Sequence, residues 1–255
     1  MTDSAPLGII CALPEEIAHL RGGLEATISG PLGGFHFEQG RLDGVPVVLV
    51  EGCVGKVASA LAASLLLDRF GCRGLLFSGV AGGLDPDLSV GDVVVAERVI
   101  QHDYGALLPD RMRPYRPGTA PIGEPRHPIA FECDPALLAR TRAALAGLLL
   151  PELPAAAAGG AARVPRLAYG TILSGDQFIN SEAVRRRLFA DYAGHAVEME
   201  GGAIAQVAER FGAPVLVVRS LSDLAGHDSH LDFAAFLGHA ATTAAMVVRR
   251  LVPVF

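Results

Sequence analysis

Tryptophan is absent from the 255 residues, and cysteine is scarce. Cys11, Cys53, Cys72 and Cys133 stand far apart with no paired spacing, which argues for reduced thiols and against a disulfide framework or a zinc site. No Lys/Arg-rich run of the roughly five to eight residues that mark nucleic-acid patches occurs, and the formal net charge is -6. Nucleic acid and anionic membrane are therefore not expected partners. Long apolar runs are missing too: Leu61 to Leu67 and its like are short and interrupted, below the length that spans a bilayer. Met1 to Pro6 has neither the basic start nor the apolar core of a secretory leader, so a cytoplasmic location is expected. What is abundant is core-forming sequence, 51% hydrophobic against 19% charged. That composition fits a single domain over residues 1–255.

The familiar cofactor motifs are missing as well. Gly79-Val-Ala-Gly-Gly83 lacks the dinucleotide spacing, and Gly55-Lys56 lacks the upstream Gly and following Ser/Thr of a P-loop. His227 and His230 are spaced as a ligand pair, but no third ligand accompanies them. No metal and no cofactor are expected.

Apolar runs alternate with helical patterns along the chain. Leu7 to Leu13 reads as a strand, and Pro14 opens a helix carrying Glu15 and Glu16 in its first turn. Phe35 to Gln39 and Val45 to Val50 read as a hairpin around Asp43-Gly44. Lys56 to Phe70 is helical, Leu75 to Ser78 is a strand, and Gly79 to Gly83 reads as the loop behind it. A strand over Val90 to Ile100 precedes a long loop, His102 to Pro128. A helix from Pro135 to Leu150 and an Ala/Gly/Pro linker from Pro151 to Pro165 follow. Leu167 to Leu173 and Val215 to Val218 are further strands, and Phe233 to Leu251 is a closing helix. The alternation predicts an α/β sandwich.

The densest chemistry lies at Ala196 to Gly202 and Arg219 to Asp223. The first places Glu198, Met199 and Glu200 where a strand gives way to a helix. The second puts Arg219, Ser222 and Asp223 behind an apolar, β-branched strand, at the sheet edge where open α/β folds bind ligands. Two acidic clusters there suit hydroxyl binding and proton transfer. Glu198 and Glu200 also suit the N-terminal dipole of the following helix. Gly79, Gly82 and Gly83 fit either a tight turn or the close approach of a flat ligand.

These segments, in order, resemble a known family. Gly8-Ile-Ile-Cys-Ala-Leu-Pro-Glu-Glu-Ile17, Gly55-Lys-Val-Ala58, Ser78-Gly-Val-Ala-Gly-Gly-Leu84, Val90-Gly-Asp-Val93, Ser174-Gly-Asp-Gln-Phe-Ile-Asn180, Val197-Glu-Met-Glu200 and Arg219-Ser-Leu-Ser-Asp223 with Ser229-His-Leu231 are similar to the 5'-methylthioadenosine/S-adenosylhomocysteine nucleosidases of the nucleoside phosphorylase superfamily. The resemblance runs from about residue 8 to the end, His102 to Pro165 excepted. It implies a three-layer α/β/α fold with a central mixed sheet, usually a homodimer, that cleaves an adenine N-glycosidic bond with water and without a cofactor.

By the same resemblance Glu16 activates water and Asp223, supported by Ser222, protonates N7 of adenine. Glu200 grips the ribose 2'- and 3'-hydroxyls, Met199 lies against the sugar, and Phe178 stacks on the base while the Ile179 backbone reads its edge. Leu13, Val54 and Phe233 match apolar pocket positions, Ala81 and Gly82 belong to the glycine stretch beside the ligand, and Arg219 lies near the water. Glu198 joins the substrate-binding set, or else is the structural partner of Arg219. Val80 replaces a hydroxyl residue common in the glycine stretch, and Pro14 and Gln177 are atypical neighbours, which bears on substrate choice. The rivals are phosphorolysis, hydrolysis of another adenine nucleoside such as a futalosine-like compound, and nucleoside sensing without turnover. Phosphate would need arginine and amide donors, and no Arg immediately precedes Gly79.

Overall fold

The computed structural model describes residues 5–51, 53–155, 162–226 and 229–255, apart from the side chains of residues 26, 27, 229–235 and 237. Phe233 and the His227/His230 pair therefore lie outside the described side chains. A mixed sheet of ten strands runs through the molecule. At its centre β5 (Leu75–Gly83) lies parallel to β1 (Leu7–Cys11) and β12 (Val215–Asp223). Beyond β1 come β4 (Val45–Val50), β3 (Phe35–Leu42) and β2 (Leu24–Leu32), the last three antiparallel. Beyond β12 come β6 (Val93–Gln101), β10 (Leu167–Ser174) and β11 (Gly194–Glu198). β11 then pairs back onto β5, so five strands close a ring, and β9 (Ala130–Glu132) edges β6.

Successive side chains on a strand face opposite ways, and both faces of this sheet are covered. Phe77 packs with Leu66 and Ile204 under α2 (Lys56–Asp68) and α5 (Gly201–Phe211). Its neighbour Leu76 packs with Leu20, Leu137 and Val248 under α1 (Pro14–Arg21), α3 (Pro135–Leu145) and α6 (Ser229–Leu251). Double coverage explains why the central strands are continuous apolar runs without alternation. The expected three-layer α/β/α sandwich with a mixed sheet is what the chain forms. α4 (Glu182–Tyr192) lies between β10 and β11.

Several sequence expectations need correction. Gly79 to Gly83 is not a loop but the second half of β5, held by β12 on one side and β11 on the other. Gly79, Gly82 and Gly83 are absent from the positive-φ set, which removes the tight-turn reading. Likewise β12 does not stop at Val218 but carries Arg219, Ser222 and Asp223 within it. The acidic clusters at β11 and β12 border β5 rather than each other. The long loop after His102 holds a small two-stranded sheet, Gly105–Leu107 with Met112–Pro114. The helix predicted to Leu150 ends at Leu145, and the linker is anchored by a Leu153–Arg163 bridge. The hairpin turn held: Asp43 and Gly44 both take positive φ, as a two-residue turn of that type requires.

Candidate active site

Pro14 starts α1 and puts Glu16 in its first turn, where its carboxylate folds back on the chain. Oε2 accepts from the amides of Ala12 (2.8 Å) and Leu13 (2.9 Å), and Oε1 accepts from the amide of Val80 (3.0 Å) across on β5. The capping reading and the site reading of Glu16 are thus one geometry. The residue is 2% exposed. Burial pushes its carboxyl up, and the nearby Arg219 guanidinium with the three amides opposes that shift.

Arg219 is completely buried and stacks on Phe77, its guanidinium carbon 3.6 Å from the ring centroid. It donates to Glu198 and, at 3.1 Å, to Glu200. Glu198 also accepts from the Ser174 hydroxyl and from the amides of Glu200 (3.1 Å) and Gly201 (2.8 Å), so it caps α5 as well as pairing with Arg219. Capping accounts for Glu198, and Glu200 is used differently. Glu200 Oε1 accepts from the Gly55 amide at 2.8 Å, at the start of α2. Its carboxyl is pushed up to about 7, by burial first and the neighbouring Glu198 second, with Arg219 pulling the other way.

The third group comes from a slip in the sheet. The β12–β5 register shifts between Leu221 and Asp223, so the strand bulges at Ser222. The loop before β6 pins the residue ahead of the bulge: Leu221 donates to the Asp92 carbonyl (2.8 Å) and accepts from the Gly91 amide (2.7 Å). Asp223 Oδ2 accepts from the Ser222 hydroxyl at 2.9 Å, and Oδ1 from the Ala225 amide at 2.8 Å. A Cβ at Gly82 would sit 3.1 Å from Asp223 Oδ1, so the glycine lets the carboxyl lie close against β5.

These groups converge on a cavity of about 220 Å³. Glu16, Glu198, Glu200 and Asp223 border it together with Ser222, and Leu13, Val54, Ala81, Gly82, Met199 and Phe178 supply most of the remaining wall. Phe178 is 54% exposed and stands at the mouth. Two expected residues are elsewhere. Ile179 is buried beside the cavity among Leu173, Leu188 and Val197, and Arg219 lies one layer behind it. Ala12, Val80 and Val197 also line the cavity. Val197 was legible as the apolar neighbour of Glu198, whereas the amide of Gly55 has no side-chain signal at all. Among the described residues no cluster of His, Cys, Asp and Glu is arranged to hold a metal.

The sequence matches the Phosphorylase superfamily over residues 6–253. A protein of Mycobacterium bovis named 5'-methylthioadenosine/S-adenosylhomocysteine nucleosidase is 50% identical over 248 residues, covering 97% of each chain. The chain belongs to this nucleosidase family. Proteins of that name are N-glycosyl hydrolases. Among solved structures, the nucleosidase of Colwellia psychrerythraea in complex with adenine is 34% identical with a TM-score of 0.80, covering 98% of this chain and 96% of that one. The futalosine hydrolase of Helicobacter pylori is 30% identical, also with a TM-score of 0.80, and covers 97% of each chain. The chain therefore keeps the family's backbone over almost its whole length.

Proposed function

We propose that the protein hydrolyses the N-glycosidic bond of 5'-methylthioadenosine and S-adenosylhomocysteine, releasing adenine and the 5-thio-substituted ribose. One observation carries water rather than phosphate as the nucleophile. The β5 amide that an incoming anion would use, Val80 N–H, is already given to the buried carboxylate of Glu16. Arg219, buried behind the cavity wall, gives its Nη2 to Glu198 and Glu200. A phosphate at this point would meet carboxylate instead of donors.

In this reading Glu16 removes a proton from water as its oxygen attacks C1' of the ribose. The C1'–N9 bond breaks, its electron pair passes into the adenine, and Asp223 gives a proton to N7. The bond breaks through a cation-like ribosyl centre, so negative charge near the sugar and a proton on the leaving base both lower the barrier. Glu200 accepts from the 2'- and 3'-hydroxyls, Met199 lies against the sugar, and Phe178 stacks on the base with the Ile179 backbone at its edge. Leu13 and Val54 receive apolar parts of the substrate, and Ser222 orients Asp223. Glu198 on the cavity wall and Arg219 behind it fix Glu200.

The enzyme is also read as cytoplasmic and homodimeric. Val57 and Phe211, exposed at 83% and 50% on α2 and α5, line a broad groove, and such exposed apolar surface supports the homodimeric reading. Tyr104 and Tyr115 lie in the long segment after β6. Their hydroxyls are bound within their own segment, to the carbonyls of Thr119 and Gly123.

The deciding assay incubates the protein with methylthioadenosine, adenosylhomocysteine, adenosine, inosine and futalosine, with and without phosphate, and quantifies free base. Adenine release from the first two, indifferent to phosphate, is the expected result. Strict phosphate dependence with a sugar-1-phosphate product would overturn hydrolysis, and preference for futalosine would overturn the substrate assignment.

A further inference from the structure

Beside the cavity, three charged residues from three separate segments close a ring. Asp176, in the segment after β10, accepts from the Lys56 amide through Oδ1 at 2.8 Å. The Asp176 amide donates to Asp103 Oδ2 at 2.9 Å. Asp103 Oδ1 pairs with Lys56 Nζ at 2.7 Å, which returns to the starting residue. The second Asp176 oxygen lies 3.9 Å from the same ammonium. Lys56 and Asp103 are mostly shielded, with side chains 18% and 16% exposed.

The ring solves a capping problem. α2 begins at Lys56, and its N-cap residue is Gly55, which has no side chain to satisfy the first helical amides. Asp176 supplies that oxygen from over a hundred residues away. Gly55 itself is held at φ +84°, a conformation only glycine adopts freely, and a Cβ there would lie 3.3 Å from Asp176 Oδ1. The peptide so fixed is Gly55–Lys56, and on the other side of the same Cα the Gly55 amide donates to Glu200. The ring thus holds the residue that carries the Glu200 donor from its C-terminal side.

We propose that Lys56, Asp103 and Asp176 are positioning residues for ribose binding, acting by setting the Gly55 amide against Glu200; this rests on the ribose-gripping role given to Glu200 above. None of the three forms a hydrogen bond to the Glu200 carboxylate, so their influence passes through the α2 N-terminus.

The test measures binding of a carbon-linked, uncleavable analogue of methylthioadenosine by calorimetry. Asp176→Ala should weaken binding about 10-fold or more, the worth of a hydrogen bond to a charged group. Asp176→Asn keeps an oxygen for the Lys56 amide and should stay within about threefold of the unaltered protein. In a Glu200→Ala background the same Asp176→Ala change should add less than about twofold, because both remove one coupled interaction. A merely structural role would cost the same in both backgrounds, and that result, or full affinity in Asp176→Ala, would overturn the proposal. If Asp176→Ala fails to fold, Asp103→Ala opens the ring from its other side and is read the same way. Because the analogue is not cleaved, absence of adenine release by the unaltered protein would count against the proposed hydrolysis alone.

Discussion

Glu16 and Arg219 approach each other across the space that a side chain at residue 79 would fill. A Cβ on Gly79 would lie 2.6 Å from Glu16 Oε1 and 2.8 Å from its carboxyl carbon, and it would overlap the Arg219 guanidinium. Gly79 is not in the positive-φ set, so alanine suits its backbone and only space forbids it. Both neighbours are tied down, Glu16 by three amides and Arg219 by two carboxylates, and cannot step aside cheaply. Gly79→Ala should cost about 1–3 kcal/mol of stability, the range for overpacking, and lower kcat/KM at least about 10-fold. Gly30→Ala, where nothing lies within 4 Å of the added Cβ, is the control. Equal activity of the two variants would show that the crowding at residue 79 is relieved at no cost.

Glu16→Gln keeps the shape of the carboxyl but cannot take a proton from water. Turnover of methylthioadenosine should fall by about 10² to 10⁴, the usual share of general acid-base catalysis. The single Gln oxygen can serve either Val80 or the Ala12 and Leu13 amides, so stability should fall, while binding of an uncleavable nucleoside should survive because the side-chain shape is kept. Near-normal turnover would leave Glu16 with its helix-capping role alone.

How much of this was legible in the sequence divides along physical lines. The apolar runs of β1, β5, β10 and β12 and the Asp43-Gly44 turn are local signals, and they placed the central layer. β2 escaped because Leu24–Leu32 includes Gly and Pro and has little strand character of its own; it forms by pairing with β3. The acidic residues were found because carboxylates next to apolar strands are rare and expensive to bury. Their partners were not fully legible. Whether Arg219 faced water or Glu198 depends on which way a buried side chain turns inside a closed ring of strands. Nor does any pattern indicate that Asp176 caps a helix beginning at Lys56, since the two meet only through the fold.

Glu200 makes stability depend on pH. Its folded carboxyl is pushed up from the usual 4.5 to about 7, with burial as the main cause and Glu198 next. A group raised on folding gives stability that is complete below its unfolded pKa and is lost as pH rises through its folded pKa. The window for Glu200 is therefore about 4.5 to about 7. Burial shifts Glu16 in the same direction, so some slope remains when Glu200 is neutralised. Urea unfolding at pH 5 and pH 8 should show a smaller stability difference for Glu200→Gln than for the unaltered protein. Identical differences would mean that Glu200 titrates alike in the folded and unfolded chains.

Asp223 and the base it serves can be tested as a pair. Its carboxyl sits at the β12 bulge, bound by the Ser222 hydroxyl and the Ala225 amide and bordering the cavity. If its proton goes to N7 of adenine, a 7-deaza nucleoside, which has carbon at that position, offers nothing to receive it. The unaltered enzyme should then cleave 7-deaza-methylthioadenosine hardly at all, and Asp223→Asn should lose about 10² to 10⁴ in turnover of methylthioadenosine. The two losses should not multiply, because each removes the same proton transfer. Free-base release is measured for both proteins with both substrates, which closes a double-perturbation cycle. The Ser222→Ala variant adds a finer point: its loss should also vanish with the 7-deaza compound, since Ser222 acts through Asp223. Rapid cleavage of the 7-deaza nucleoside by the unaltered enzyme would remove N7 as the destination and leave Asp223 a carboxylate that shapes the bulge.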